Sequence, residues 1–211
     1  MRSVVIWGCG GHAREVNMLC AQIGVAVTGF LDERPEMKGR VVDDVRVLGT
    51  LSDVTNLRGQ VSIICAGVGD PTLKRRFAQM TTDAGFTIAH PIIHPAVHVS
   101  PRNSVGQGSV ICAGVVMTIN VTIGCHVIVN YNSTLGHDSS VSDYATISPS
   151  VNISGRVTVE DGAYLGVNCS IRENIRIGAW SIVGGGAFVR QNVLPKTMWA
   201  GVPAALKKTL S

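Results

Sequence analysis

The chain has 211 residues, of which 45% are hydrophobic and 5% aromatic, and its formal net charge at pH 7 is +4. This length allows one large domain or two small ones. The mild charge, without a cluster of lysine and arginine, argues against a nucleic-acid partner and is compatible with anionic ligands such as nucleotides. The sequence has no run of 18 apolar residues and no signal-peptide pattern at its start, and its six cysteines are scattered without a CxxC motif. We therefore expect a cytoplasmic protein with reduced cysteines in its core and no membrane span.

The N-terminal residues carry the pattern of a nucleotide-binding βαβ unit. Residues 3–7 predict a buried strand, residues 8–13 a glycine-rich turn, residues 15–23 a helix and residues 25–31 a second strand. Glycines let the backbone approach a phosphate, and a helix N-terminus offers it free N–H groups. An acidic pair ends the second strand, about 20 residues after the glycines, where such folds place an acid that reads a ribose or a base. The candidate ligand-binding residues are Gly8, Gly10, Gly11, His12, Asp32 and Glu33; the alternative is a tight turn that needs only small residues.

The next predicted elements complete a small α/β domain. A short connection and strand are predicted over residues 41–49, a buried strand over 61–66, a helix over 71–84 with Asp70 as its N-cap, and a last strand over 86–90. Parallel strands end at one edge of a sheet, so we expect Gly67 and Val68 to lie beside the first glycine-rich turn around one crevice. We interpret the basic residues 74–76 as a solvated helix face rather than as an anion site.

Residues 93–194 contain a six-residue repeat that never changes phase. Starting at Ile93, every sixth residue is aliphatic or methionine at all 17 positions, and the residue four places later is small or aliphatic except at Asn103. A helix has a period of 3.6 residues and cannot keep this phase, and an ordinary strand would end after roughly 5–6 residues. The repeat therefore predicts a β-solenoid in which each coil buries its apolar face on its neighbours.

Together with the hexads, four stretches resemble a known family. They are Gly-Cys-Gly-Gly-His-Ala at residues 8–13, Phe-Leu-Asp-Glu at 30–33, Val-Leu-Gly at 47–49 and Gly-Val-Pro-Ala at 201–204. The combination is similar to the bacterial amino-sugar acetyltransferases of the PglD/NeuD type, which are hexapeptide-repeat acyltransferases. The resemblance implies a Rossmann-like α/β domain over residues 1–90 that binds a nucleotide-linked sugar, and a left-handed parallel β-helix of nearly six coils over 91–195. It also implies a short C-terminal segment over 196–211 near coenzyme A.

One histidine stands beside a carboxylate at a corner of the predicted solenoid. His137 and Asp138 follow the inward-facing Leu135 by two and three places, so they face outward. An acid beside an imidazole can hold its tautomer and favour the imidazolium that forms when the ring takes a proton. His126 also lies at a corner but has no adjacent acid, and we interpret the histidines at 90, 94 and 98 as structural. Cys169 occupies an inward position, so we do not expect it to be a nucleophile.

The resemblance implies roles for individual residues. His137 is expected to be the general base for the attacking amine or hydroxyl, with Asp138 orienting it. Relatives often carry a second histidine nine residues after the base, near the acetyl group; Thr146 stands there in this chain, and its hydroxyl could donate a hydrogen bond but cannot titrate near pH 7. The residues expected at the acceptor or the oxyanion are Asn130, Gly155 and Thr146. Those expected to line the coenzyme A site are Gly155, Val167, Gly185, Val202, Pro203 and Lys207.

These features predict an acetyl-CoA-dependent N-acetyltransferase that acts on a nucleotide-linked 4-amino-4,6-dideoxy sugar for O-antigen, capsule or glycan synthesis. The family implies a homotrimer with sites between subunits, no metal and no covalent acyl-enzyme. The nucleotide is open between UDP, dTDP and GDP. O-acetylation of a sugar such as sialic acid would use the same base. Further alternatives are a zinc lyase of the γ-carbonic anhydrase kind, for which a third histidine ligand is missing, an NAD-dependent oxidoreductase, and a nucleotide-sugar sensor without activity.

Overall fold

A computed structural model of the protein describes residues 3–210. Its N-terminal part contains one sheet made of β1 (Ser3–Trp7), β2 (Val27–Leu31), β3 (Val41–Val42), β4 (Val45–Gly49), β5 (Val61–Ile64) and β6 (Thr87–Ile88). The strand order is β3-β4-β2-β1-β5-β6. Only β3 runs antiparallel to its neighbour, so the other five strands end at the same edge of the sheet.

Two helices, α1 (Gly11–Gln22) and α2 (Pro71–Asp83), cover opposite faces of this sheet. The alternation along β1 explains why: Val4 and Ile6 pack with α1, whereas Val5 and Trp7 pack with α2. Three short 3₁₀ segments span Pro35–Met37, Leu51–Leu57 and Cys65–Gly67. This arrangement confirms the predicted α/β start, although α1 begins four residues earlier than the periodicity indicated.

The following residues form three parallel sheets of two-residue strands. The first sheet contains β7 (Ile92–Ile93), β9 (Val110–Ile111), β12 (Ile128–Val129), β15 (Thr146–Ile147), β18 (Tyr164–Leu165) and β21 (Ile182–Val183). The second contains β10 (Val116–Met117), β13 (Thr134–Leu135), β16 (Asn152–Ile153), β19 (Ser170–Ile171) and β22 (Phe188–Val189). The third contains β8 (Ser104–Val105), β11 (Thr122–Ile123), β14 (Ser140–Val141), β17 (Thr158–Val159) and β20 (Arg176–Ile177).

These sheets are the three sides of a triangular prism, which is the β-solenoid that the hexads predict. Neighbouring strands within a sheet are 18 residues apart, as in the pairing of Ile128 with Thr146, so one coil consumes three hexads. We call the edge between the first and second sheets corner 1, that between the second and third corner 2, and that between the third and first corner 3. From residue 108 to residue 186 every sixth residue has a positive φ, between 55° and 74°, which turns the chain at each corner.

The prism interior is the predicted stack of aliphatic side chains, among them Met117, Leu135, Ile153 and Ile171, which are at most 2% exposed. The first sheet also packs on the α/β part, because the outward side chains of Ile92, Val110 and Ile128 join the core beneath α1. The C-terminal residues form a hairpin, β23 (Thr197–Ala200) and β24 (Ala205–Thr209), that extends the first sheet.

All six cysteines are free, and five of them are buried. The predicted inward position of Cys169 agrees with its surroundings, because burial raises the pKa of its thiol to about 12. Neither helix in the part of the chain that the structure describes is long and apolar enough to cross a bilayer.

Candidate active site

His137 and Asp138 form a hydrogen-bonded dyad on the outside of corner 2. Nδ1 of His137 lies 2.8 Å from Oδ2 of Asp138, and both side chains are about half exposed, at 49% and 46%. The other carboxylate oxygen of Asp138 accepts a hydrogen bond of 2.7 Å from Nδ2 of Asn120. The pKa of Asp138 is lowered, first by this bond from Asn120 and then by the bond with His137. Asn120 was not among the predicted site residues, although it precedes Asp138 by 18 residues and therefore stacks directly on it.

The hydrogen bonds of the dyad determine which nitrogen of His137 can act as a base. An ionised carboxylate only accepts hydrogen bonds, so the ring donates through Nδ1–H and its Nε2 carries the free lone pair. The backbone contributes to this orientation, because Asp138 adopts a φ of 59° and its N–H bonds to the carbonyl of Ile119. The dyad is thus prepared to accept a proton at Nε2.

Gly155 lies directly beneath the imidazole, one coil further along the prism. A Cβ atom at this position would lie 2.5 Å from Nε2 of His137, which only glycine avoids. The N–H of Gly155 makes no hydrogen bond with the described residues 3–210. A free lone pair and a free N–H therefore occur side by side at corner 2, as a general base and an oxyanion donor require.

The glycine-rich turns lie together at the ends of β1 and β5. Gly8 has a φ of 88° and touches Val68, and Gly67 packs so closely on the carbonyl of Trp7 that no side chain fits there. Gly10 is the N-cap of α1, the helix has no side-chain cap, and a Cβ atom at Gly10 or Gly11 would meet no other atom within 4 Å. The helix therefore begins with the unsatisfied donors that bind phosphate groups.

Asp32 lies at the end of β2 beside this turn, where the sequence predicted it. Its carboxylate is 9% exposed and accepts bonds of 2.8 and 2.9 Å from the guanidinium of Arg34 and one of 3.0 Å from Sγ of Cys9. These donors, Arg34 first, lower the pKa of Asp32 to about 2. A ribose or base that donates a hydrogen bond to Asp32 must therefore share the carboxylate oxygens with the guanidinium of Arg34. The neighbouring Glu33 is paired with Arg76 at 2.8 Å.

A cleft of about 520 Å³ lies between the α/β part and corner 1 of the prism. The side chain of His12 lies on one wall, and its Nε2 atom is buried without a hydrogen-bond partner in residues 3–210. Burial lowers the pKa of His12, although Glu15, 3.3 Å away, opposes this shift. The predicted residues that line this cleft are Gly11, His12, Asn130, Thr146 and Val167, together with Glu15, Gly69, Asp70, Ile128, Ser148, Pro149 and Tyr164.

The structure corrects one expectation at the floor of this cleft and gives the hydrogen-bond partners of a second residue. Lys74 is not on a solvated helix face: it is fully buried, and its Nζ donates to Thr146 Oγ1 at 2.8 Å and to the carbonyl of Ala145 at 3.0 Å. The hydroxyl of Thr146 donates to the carbonyl of Gly69 at 2.7 Å, so it has no proton left for a ligand. A hydrogen bond from Thr146 to a substrate would require this proton to leave Gly69, and the role of Thr146 at the acceptor stays a prediction.

The two halves of the candidate site lie at different corners of one chain. His137, Asp138 and Gly155 are at corner 2, whereas Asn130, Val167 and the cleft are at corner 1. One side of the prism, six residues long, separates these corners, which is roughly 20 Å of extended chain. A single chain does not bring the predicted base to the predicted nucleotide-binding residues.

The residues expected to line the coenzyme A site also lie at different corners. Val167 and Gly185 stack on each other at corner 1, and a side chain on Gly185 would lie 3.1 Å from the carbonyl of Val167. Val202 and Pro203 are exposed in the turn of the C-terminal hairpin, and Lys207 is exposed on β24. Gly155 lies apart from them at corner 2.

The other histidines are less suited to catalysis. His126 is buried and stacks on Tyr144 with ring centres 5.3 Å apart, and burial lowers its pKa to about 4. His94 accepts a hydrogen bond from the backbone of Ala96 within its own turn. Residues 3–210 contain no cluster of three or more His, Cys, Asp or Glu side chains arranged to bind a metal ion.

Comparison with known proteins places these features in a family. Residues 3–81 match the model of the PglD N-terminal domain. Perosamine N-acetyltransferase from Caulobacter crescentus, solved in complex with CoA and GDP-perosamine, is 30% identical with a TM-score of 0.90 over 98% of this chain and 97% of that protein. The acetyltransferase domain of PglB from Neisseria gonorrhoeae, solved with acetyl coenzyme A, is 28% identical with a TM-score of 0.87 over 98% and 99%.

A curated relative gives a shorter match. GDP-perosamine N-acetyltransferase from Escherichia coli O157:H7 is 33% identical over 84 residues, which are 40% of this chain and 38% of that protein. The chain thus aligns with less than half the length of this curated relative. Because the likeness to the solved Caulobacter protein extends over nearly the full length of both, the chain belongs to the PglD/NeuD-type sugar acetyltransferases of the left-handed β-helix, hexapeptide-repeat acyltransferase family.

Proposed function

We propose that this protein transfers the acetyl group of acetyl-CoA to the amino group of a nucleotide-linked 4-amino-4,6-dideoxyhexose. The observation that carries the proposal is the full-length likeness to an enzyme whose structure contains both CoA and GDP-perosamine. The dyad of His137 and Asp138 with Gly155 beneath it supplies the chemistry that such a transfer needs. GDP-linked amino sugars are the first acceptors to test, because the relatives from two organisms are described with GDP-perosamine or named for it.

The proposed reaction is a direct transfer. The sugar amine attacks the thioester carbonyl, its proton passes to Nε2 of His137, and the Gly155 N–H donates to the oxyanion that forms. The C–N bond forms, the C–S bond breaks, and the proton on His137 can pass to the departing thiolate of coenzyme A. Asp138 stabilises the imidazolium between these steps. Bringing amine and thioester together accounts for much of the rate, so no acyl-enzyme is required.

We infer that the complete site is formed between chains of a homotrimer. The base of one chain would then meet the cleft of its neighbour, with Val167, Gly185 and the C-terminal residues Val202, Pro203 and Lys207 beside coenzyme A. The separation of corners 1 and 2 supports this arrangement, as do Val116 and Phe188, which are exposed apolar residues on the outer face of the second sheet.

Thiol release from acetyl-CoA, measured against nucleotide-linked 4-amino sugars and their 4-hydroxy analogues, tests this function. We expect release only with an amino sugar, and the best substrate identifies the nucleotide. Release with the hydroxy analogues or with free sialic acid would instead establish an O-acetyltransferase. No release with any member of the panel, together with retained binding of a nucleotide sugar, would favour a sensor and refute the proposed activity.

A further inference from the structure

A fully buried lysine connects the two parts of the chain beneath the cleft. Lys74 belongs to the second turn of α2, is 0% exposed, and donates from Nζ to the carbonyl of Ala145 and to Thr146 Oγ1 on the prism. The other lysines of the described chain are exposed. Burial lowers the pKa of Lys74 well below its usual range, and only Asp70 opposes this shift. Removing an amine from water is costly unless it is hydrogen-bonded, so this contact is a specific feature of the domain junction.

The same contact controls the glycine turn that lines the cleft. The hydroxyl of Thr146 accepts a hydrogen bond from Lys74 and donates one to the carbonyl of Gly69. The turn is anchored at its start, where Gly67 packs on Trp7, and at its end, where Asp70 caps α2 through the N–H of Leu73. Between these anchors, Gly69 has no packing neighbour where a side chain would be. The bond from Thr146 therefore fixes the middle of the turn against the prism.

We propose that Lys74 and Thr146 are positioning residues for the nucleotide-linked substrate. They fix the turn of residues 67–70 against β15 and so set the width of the 520 Å³ cleft that Gly69 and Thr146 both line. A glycine-containing turn that is ordered before binding costs less entropy when the ligand arrives. The identity of the ligand in this inference rests on the proposed function. The role of Lys74 and Thr146 in ordering the turn does not depend on that function.

Thr146→Val removes both hydrogen bonds and keeps the shape of the side chain, whereas Thr146→Ser keeps the hydroxyl. We expect Thr146→Val and Lys74→Met to raise KM for the nucleotide sugar, and the Kd for GDP or UDP alone, about tenfold. We expect kcat to change less than about twofold, because the dyad at corner 2 is untouched. KM for acetyl-CoA should change equally little, because neither hydrogen bond of Thr146 involves Val167, Gly185 or the C-terminal hairpin. Thr146→Ser and the exposed-site control Arg40→Met should behave like wild type. The double variant should be little worse than either single one, because both break one network.

Unchanged KM and Kd values in Thr146→Val, or equal losses in Thr146→Val and Thr146→Ser, would overturn the proposal. A lower kcat together with similar rises in both KM values would indicate a general loss of structure and would also overturn the proposal. If the wild-type protein transfers no acetyl group, the proposed function fails, and hydrogen exchange still tests the positioning role. Thr146→Val should then exchange the amides of Val68 and Gly69 faster than Thr146→Ser, and equal rates would refute it.

Discussion

Nε2 of His137 lies directly above Gly155, so close that a Cβ atom on the glycine would be 2.5 Å from this nitrogen. The two residues are 18 positions apart and therefore occupy the same place in successive coils. The same spacing relates Asn120 to Asp138 and Val167 to Gly185. Each pair therefore joins two successive coils, and the stacking of one coil on the next brings the candidate site residues together.

Gly155→Ala is expected to damage catalysis more than binding. The new methyl group would displace the imidazole from Gly155 and move the base away from the oxyanion donor. We expect kcat to fall at least about tenfold, with the Kd of the nucleotide sugar unchanged, because the cleft lies at corner 1. Steady-state kinetics with calorimetric binding would measure both, with Ser154→Ala as the neighbouring control. A wild-type kcat would show that the contact with Gly155 has no catalytic role.

Removing the amide of Asn120 is expected to weaken the orientation of the dyad. Glycine is the appropriate replacement, because Asn120 has a φ of 57° that other side chains adopt at a cost. Asn120→Gly should raise the pKa of Asp138 toward its ordinary value and lower kcat several-fold. The carboxyl carbon shift of Asp138 against pH, measured by NMR, gives the first quantity.

Asn174→Gly provides a matched control for that experiment. Asn174 occupies the equivalent corner position two coils beyond Asp138, has a φ of 60°, and accepts a bond from Arg156 instead of touching the dyad. The Asn174→Gly variant should leave kcat unchanged. If both variants lose activity equally, the loss results from a general change at this corner of the prism and not from a changed orientation of the dyad.

The pair of Asp32 and Arg34 is expected to stabilise the fold only above acidic pH. The folded pKa of Asp32, about 2, lies below its ordinary 3.8, so its contribution is complete above about pH 4 and is lost as the pH falls toward 2. Arg34 is 58% exposed and solvent screens part of the interaction, so we expect Arg34→Gln to lower the free energy of unfolding only modestly at pH 7. Urea unfolding between pH 7 and 3 should show the difference from wild type shrinking below pH 4. Arg14→Gln, which breaks an exposed pair with Asp43, should cost less, and a difference for Arg34→Gln that does not depend on pH would contradict this assignment.

Two inactive variants are expected to restore activity when they assemble together. His137→Ala removes the proposed base at corner 2, and Gly11→Asp places a carboxylate in the cleft where we propose that a phosphate binds. If each site combines halves from two chains, mixed trimers should regain about a quarter of wild-type activity, because a quarter of the sites pair two intact halves. Mixed assemblies that form but remain inactive would mean that one chain supplies both halves.

Much of this architecture follows from local sequence patterns. The unbroken hexads predict the prism, since each sixth residue turns a corner and each large aliphatic residue fills the interior. The same phase predicts that His137 and Asp138 face outward. An 18-residue offset could also have identified Asn120 as the partner of Asp138, because residues one coil apart stack.

Contacts between the two domains could not be predicted from these local sequence patterns. Lys74 follows a polar helical pattern, and only the packing of α2 on the first sheet buries it against Thr146. The pairing of Arg34 with Asp32 depends on the turn that follows β2, for which the sequence has no periodic signal. Such contacts join residues more than 70 positions apart or in irregular loops, and tertiary packing determines them.

The central claim is that His137 is the base of an acetyl transfer to a nucleotide-linked amino sugar. The most direct measurement compares turnover of acetyl-CoA by the wild-type protein and by His137→Asn on the best amino-sugar substrate, with the Kd of both substrates measured in parallel. The account predicts that kcat falls by about 10²–10⁴-fold while both Kd values stay within about twofold. A variant that retains wild-type turnover would contradict it.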